Sequence, residues 1–108
     1  MSILIKNSVL IFLWMSLSAC SASQADIVPA CKKFISDNFR ASAAEKTCTC
    51  VSDEIGNVID KKFNKEIIKD FTLATSRNQW ETRLGQKPYA RAIYSTVGSC
   101  YVRNGGSL

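Results

Sequence analysis

Residues 42–63 read Ser-Ala-Ala-Glu-Lys-Thr-Cys-Thr-Cys-Val-Ser-Asp-Glu-Ile-Gly-Asn-Val-Ile-Asp-Lys-Lys-Phe. Cys48, Val51, Ile55, Val58, Ile59 and Phe63 recur at i, i+3, i+4 and i+7, the signature of one helix face. Ser42-Ala43-Ala44-Glu45 matches a capping box at its start. Gly56 costs about 1 kcal/mol relative to alanine inside a helix and is expected to permit close helix approach. Cys48 lies on the apolar stripe and Cys50 lies off it. Two residues apart on a helix, their side chains point about 200° apart and do not meet. Each is therefore expected to bond outward, one to Cys31 and the other to Cys100. Three connectivities are formally open to these four cysteines. Antiparallel packing about a turn near 41–43 places Cys31 slightly nearer Cys50, so Cys31–Cys50 and Cys48–Cys100 are the expected pairs. On the loop-entropy model each closed loop contributes about 3–4 kcal/mol.

The flanking segments carry the same period. Asp26 is placed to cap a helix over 27–40, with Ile27, Cys31, Phe34, Ile35 and Asn38 on one stripe and Pro29 in the first turn. A third helix from Asn64 uses Ile67, Ile68, Phe71 and Ala74. Residues 75–87 read two ways: a loop, or a short helix capped near Ser76, carrying Trp80 and Leu84 and ended by Gly85. Pro88 suits the first turn of a last helix bearing Tyr89, Ile93, Val97, Cys100 and Tyr101. No stretch alternates with period 2 between hairpin turns, and no repeat is present. The expected fold is all-α: a small four- or five-helix domain stapled by two disulfides, its first and last helices tied to the second. About 75 residues are available to fold, a number that gives one modest core and needs such staples.

The N-terminus bears on location. Residues 8–19, Ser-Val-Leu-Ile-Phe-Leu-Trp-Met-Ser-Leu-Ser-Ala, follow Lys6 and carry no charge. The run is shorter than the roughly 20 apolar residues that span a bilayer, but it fits the core of a secretory signal. Leu17-Ser18-Ala19-Cys20 at its end resembles the lipobox of bacterial lipoproteins. The resemblance implies cleavage before Cys20, acyl chains on that residue, and an anchor in the cell membrane facing the periplasm. Ser21 in the next position favours the outer membrane. Several acyl chains hold stably where one holds marginally. The competing site is Ser23-Gln24-Ala25, which would release a soluble periplasmic chain from Asp26. Five cysteines are present. With Cys20 lipidated, the four that remain make two disulfides, as an oxidising periplasm favours. The expected organisation is a signal peptide over 1–19, a lipidated tether over 20–26, a helical domain over 27–103 and a flexible tail over 104–108.

Charge and chemistry narrow the function. The chain is formally +5. Residues 26–70 balance, whereas 77–103 hold Arg77, Arg83, Lys87, Arg91 and Arg103 against Glu81 alone. Trp80 and Tyr89 interleave with these cations, and Tyr94 lies just off the last stripe. Aromatics mixed with arginine are enriched at partner interfaces. Arg77, Trp80, Arg83, Lys87, Tyr89 and Arg91 are therefore the candidate partner-binding residues, although helical aromatics are most often core. There is no histidine, the commonest general base, no paired-carboxylate site and no phosphate-binding loop. A zinc site lacks its usual Cys and His spacing. The expectation is no catalytic residue, no metal, no cofactor and no nucleic acid.

The pattern Cys31…Cys48-Thr49-Cys50…Cys100 on helices is similar to small helical envelope proteins: secretion pilotins, conjugal entry-exclusion lipoproteins and periplasmic immunity proteins. No motif of theirs is shared, so no residue role carries over. The leading expectation is a lipid-anchored, non-catalytic module that binds an envelope protein partner and contacts the bilayer through its Cys20 acyl chains. One alternative is a membrane-surface or structural lipoprotein with a basic end against lipid or wall polymer. Another is a thiol-redox factor using Cys48 and Cys50. Mass spectrometry of the mature protein is expected to find an acylated Cys20 at the N-terminus; an unmodified chain beginning at Asp26 would show the soluble alternative instead.

Overall fold

The computed structural model describes residues 22–106. The expected signal peptide and lipobox, with Cys20, lie outside the described residues, as do residues 107 and 108. The described chain forms five α-helices: α1 (Ile27–Asn38), α2 (Ala44–Val58), α3 (Asn64–Leu73), α4 (Arg77–Leu84) and α5 (Ala90–Arg103). Short 3-10 turns at Gln24–Asp26, Ala41–Ala43 and Lys61–Phe63 lead into the first three. No strand occurs among the described residues. The fold is all-α, with α1 packed on α2 and α3, α2 on α5, and α3 on α4.

The helices form where their apolar stripes find one another. Ile27, Cys31, Phe34 and Ile35 of α1 are buried, as are Cys48, Val51 and Ile55 of α2 and Ile67 and Phe71 of α3. Ile93, Val97, Cys100 and Tyr101 of α5 close the same core. Phe34, Phe71 and Trp80 cluster at its centre: Phe34 lies 5.5 Å from Phe71 and 5.1 Å from Trp80, and the Phe71 and Trp80 rings stack 5.5 Å apart.

The segment that read two ways is α4. The Ser76 hydroxyl accepts from the Gln79 backbone N–H (3.1 Å), and the Gln79 side chain accepts in return from the Thr75 N–H (2.7 Å). These reciprocal bonds fix the first turn. Gly85, at φ +47°, takes the positive-φ turn that ends the helix.

Several boundaries differ from the sequence reading. α1 stops at Asn38 because Phe39 and Arg40 turn extended. Asp26 does not cap α1; its carboxylate accepts from the backbone N–H and hydroxyl of Ser23, one turn earlier. Ser42 sits inside a 3-10 turn, and the expected capping box at 42–45 is not formed. α2 ends at Val58, short of Phe63, since Ile59 is extended and Asp60 accepts from the Lys62 N–H to start a new turn. Residues 24–26 are docked, not a loose tether: Gln24 donates to the Ser52 carbonyl (2.7 Å), and the Ser52 hydroxyl donates to the Gln24 carbonyl (3.0 Å). A Cβ on Gly56 would collide with the Gln24 side chain, so this glycine admits the N-terminal turn and not a second helix. At the other end, Arg40 donates to the Gly105 carbonyl, so residues 104–106 are fastened down.

The disulfides join the expected cysteines in the other pairing: Cys31–Cys48 and Cys50–Cys100, with Cα atoms 5.6 and 5.7 Å apart. Face outweighs register. Two residues shift a side chain only about 3 Å along a helix but about 200° around it. Cys31 and Cys48 both lie on the stripes by which α1 and α2 meet. Cys50 looks away from α1 towards α5. The loops close over separations of 17 and 50 residues. Peptide mapping should recover these two pairs. Taken singly, Cys31→Ala/Cys48→Ala should cost about 3 kcal/mol and Cys50→Ala/Cys100→Ala about 4 kcal/mol in chemical denaturation; equal or negligible losses would contradict the loop-length argument.

Candidate functional site

The six candidate partner-binding residues separate into two groups. Arg83, Lys87 and Tyr89 converge on Asp70, a carboxylate of α3 only 1% exposed. Lys87 Nζ donates to Asp70 Oδ1 at 2.9 Å, and the Tyr89 hydroxyl donates to Oδ2 at 2.6 Å. Arg83 Nε lies 3.4 Å from Oδ1 as an ion pair without hydrogen-bond alignment. Glu66 extends the cluster, 4.0 Å from Lys87 Nζ. A buried carboxylate requires such partners, because desolvating an unpaired charge is costly. These three residues therefore anchor α4 and the α4–α5 turn to α3. Burial, and then the adjacent Asp70 carboxylate, push the Tyr89 hydroxyl well above its ordinary range.

Trp80 is likewise inside, 4% exposed. Its polar sequence neighbours occupy the outer sides of α4, while Trp80 and Leu84, four residues apart, face the core. Both Trp80 and Tyr89 are buried rather than exposed. Arg77 and Arg91 are exposed, Arg77 paired with Glu81 at 3.4 Å. Arg103 is held by Glu54 at 2.7 Å. The basic end of the sequence is thus largely compensated, because folding brings Asp70, Glu66 and Glu54 against it.

A cleft of about 190 Å3 opens where the end of α1 meets α4 and α5. Phe39, Trp80, Tyr94 and Tyr101 give it aromatic walls, and Arg77 and Glu81 line it from α4. The Arg77 guanidinium lies 5.5 Å from the Phe39 ring centre, and the Tyr94 hydroxyl donates to the Glu81 carbonyl at 3.2 Å. Burial raises the Tyr94 hydroxyl above its ordinary range. Gly98 lies on the α5 side of the cleft. It has no positive φ, and a Cβ built on it meets nothing within 4 Å. Neither backbone conformation nor close packing requires glycine there. The chemistry on offer is an apolar, aromatic recess with a charged rim, suited to holding a partner's side chain.

Elsewhere, Cys50, Cys100 and Glu54 bring ligand-type atoms within 4.8 Å of one another. Both sulfurs are spent in a disulfide, so they offer no thiolate to a metal. Cys48 and Cys50 are not bonded to each other. Among the described residues no helix is long and apolar enough to cross a membrane. Comparison with protein-family models, curated proteins and solved structures found no match.

The Tyr89 contact fixes a pH response. Its folded-state affinity for the proton exceeds that of the unfolded chain, so its contribution is complete below about pH 10 and is lost as pH rises above it. Wild-type stability should fall above pH 10 with up to about 1.4 kcal/mol per pH unit more slope than Tyr89→Phe. Below pH 9, Tyr89→Phe should be the less stable by about 1–2 kcal/mol. Parallel curves in urea titrations at pH 8–11 would contradict the buried contact.

Proposed function

We propose that this chain is a lipid-anchored, non-catalytic protein-binding module of the bacterial cell envelope, and that the cleft between α1, α4 and α5 receives an apolar side chain of its protein partner. The observation that carries the reading is Gly98. Glycine inside a helix is destabilising by roughly 0.5–1 kcal/mol relative to alanine, and here the structure has no steric use for it. What it does is keep about 190 Å3 of aromatic-walled space open. Partner energetics concentrate where an aromatic or aliphatic side chain enters such a recess and polar rim groups exclude water around it.

The covalent structure supports an envelope compartment. Two disulfides in a domain this small suit an oxidising environment. Asn64 donates to the Ala22 carbonyl at 3.2 Å, so the fastened domain begins two residues after Cys20. A chain anchored at Cys20 would sit close to the bilayer surface, since each residue spans at most about 3.6 Å. Partner recognition would then take place next to the membrane, as in immunity, exclusion and secretion-accessory proteins.

Gly98→Ala and Gly98→Leu test the reading. Alanine should raise stability by up to about 1 kcal/mol and already weaken partner crosslinking in cells, because its methyl group enters the cleft. Leucine should fill the cleft, preserve the fold by circular dichroism, and weaken recovery of the stoichiometric crosslinked partner at least tenfold. A folded Gly98→Leu protein that retains full crosslinking would remove the cleft from the function.

A further inference from the structure

The two disulfides stand in different surroundings. Cys31 and Cys48 are both fully buried between α1 and α2. Cys50 is partly exposed and lines an open hollow together with Glu45, Lys46, Thr49, Asp53 and Asn104. Behind it Cys100 is fully buried. Cys100 Sγ lies 3.6 Å from Arg103 Nη2 and 3.4 Å from Glu54 Oε2. The same Arg103 nitrogen donates to both Glu54 oxygens at 2.7 Å. One half of this disulfide is thus approachable from solvent, and the other half has a guanidinium against its sulfur.

We propose that Cys50–Cys100 is a thiol–disulfide exchange site for an external dithiol reductant, with Cys50 Sγ the atom attacked and Cys100 Sγ the leaving group, while Cys31–Cys48 stays shut. Exchange requires access for the attacking thiolate and runs faster when the departing sulfur bears negative charge easily. Cys50 supplies the first condition; at Cys100 the Arg103 guanidinium favours the charge, while the Glu54 carboxylate, nearer at 3.4 Å, opposes it. A thiolate of the reductant bonds to Cys50 Sγ. The Cys50–Cys100 bond breaks, and its electron pair leaves on Cys100 Sγ beside the guanidinium. The second thiol of the reductant loses its proton and attacks the mixed disulfide, releasing Cys50 as thiolate and closing the reductant's own disulfide. Two electrons and two protons pass to the domain, and the reductant is oxidised. The two side chains pair with each other at 2.7 Å, so removing one or the other shifts the balance at Cys100 in opposite directions. The reduced domain keeps α1 stapled to α2 and loses the covalent link from α2 to α5. This site is separate from the α1–α4–α5 cleft, and its test does not depend on any partner.

The experiment is stepwise reduction of the folded protein by dithiothreitol, quenched with N-ethylmaleimide and mapped by peptide mass. Cys50 and Cys100 should be labelled together, at least about tenfold faster than Cys31 and Cys48, whose slow labelling reports global unfolding in the same sample. With the monothiol glutathione, the trapped adduct should sit on Cys50. Arg103→Gln should slow the fast phase about three- to tenfold and Glu54→Gln should quicken it, each measured against the Cys31–Cys48 rate of the same variant. Equal labelling of all four cysteines, an adduct on Cys100, or a fast phase indifferent to both substitutions would overturn the proposal.

Discussion

Two cysteines on α2, separated by the single residue Thr49, hold this domain in its shape. Because they stand about 200° apart around one helix, the bonds they make must run to opposite flanks. Cys48 takes α1 and Cys50 takes α5. With α2 occupied on both sides, α3 packs on α1. The short α4 packs on α3 and bridges back towards α5, where Tyr94 bonds to its backbone. The aromatic cleft lies where that bridge fails to fill the space between the ends of α1 and α5. Gly98 offers no side chain to fill it.

The second constraint is electrostatic. Asp70 is buried among Ile67, Phe71 and the aromatic centre, where a lone carboxylate would be strongly unfavourable. Lys87, Arg83 and Tyr89 are drawn to it from the far end of α4 and the turn beyond. This polar knot locates α4 more specifically than its two core residues do. Many arrangements would bury Trp80 and Leu84, whereas few bring a lysine, an arginine and a phenol onto one carboxylate. It also explains why a run of sequence rich in positive charge presents a largely compensated surface.

The helices were legible because burial here follows a 3.6-residue period. Ile27, Cys31, Phe34 and Ile35 on α1, and Cys48, Val51 and Ile55 on α2, were marked as core by spacing alone. The staple was legible in its members, since Cys48 and Cys50 cannot meet on a helix, but not in its pairing. Distance from the turn suggested Cys31–Cys50; the fact that Cys48 shares the apolar stripe and Cys50 does not was the better guide. Trp80 and Tyr89 are buried even though charged residues adjoin them in sequence, because those residues lie on other sides of the chain in space. The Asp70 cluster was missed because its partners lie 13–19 residues onward and no period encodes contacts between helices. One signal was present: Asp70 stands three residues after Ile67, on the buried face of α3. Gly98 lies four residues after Tyr94, off the apolar stripe, and only the space around it shows what a side chain there would meet.

The disulfide pairing has a further consequence for how the chain behaves as a covalent object. One ring closes over residues 31–48 and a second over 50–100, and Thr49 alone lies between them. The 3-10 turns at Ala41–Ala43 and Lys61–Phe63, the α3–α4 connection and the Gly85 turn all fall within one ring or the other. A single backbone cut at any of these places, where proteases find extended chain, leaves both new ends tied to the same molecule. Such a nicked chain keeps all its helices together and is distinguished from an intact one only when the disulfides are opened.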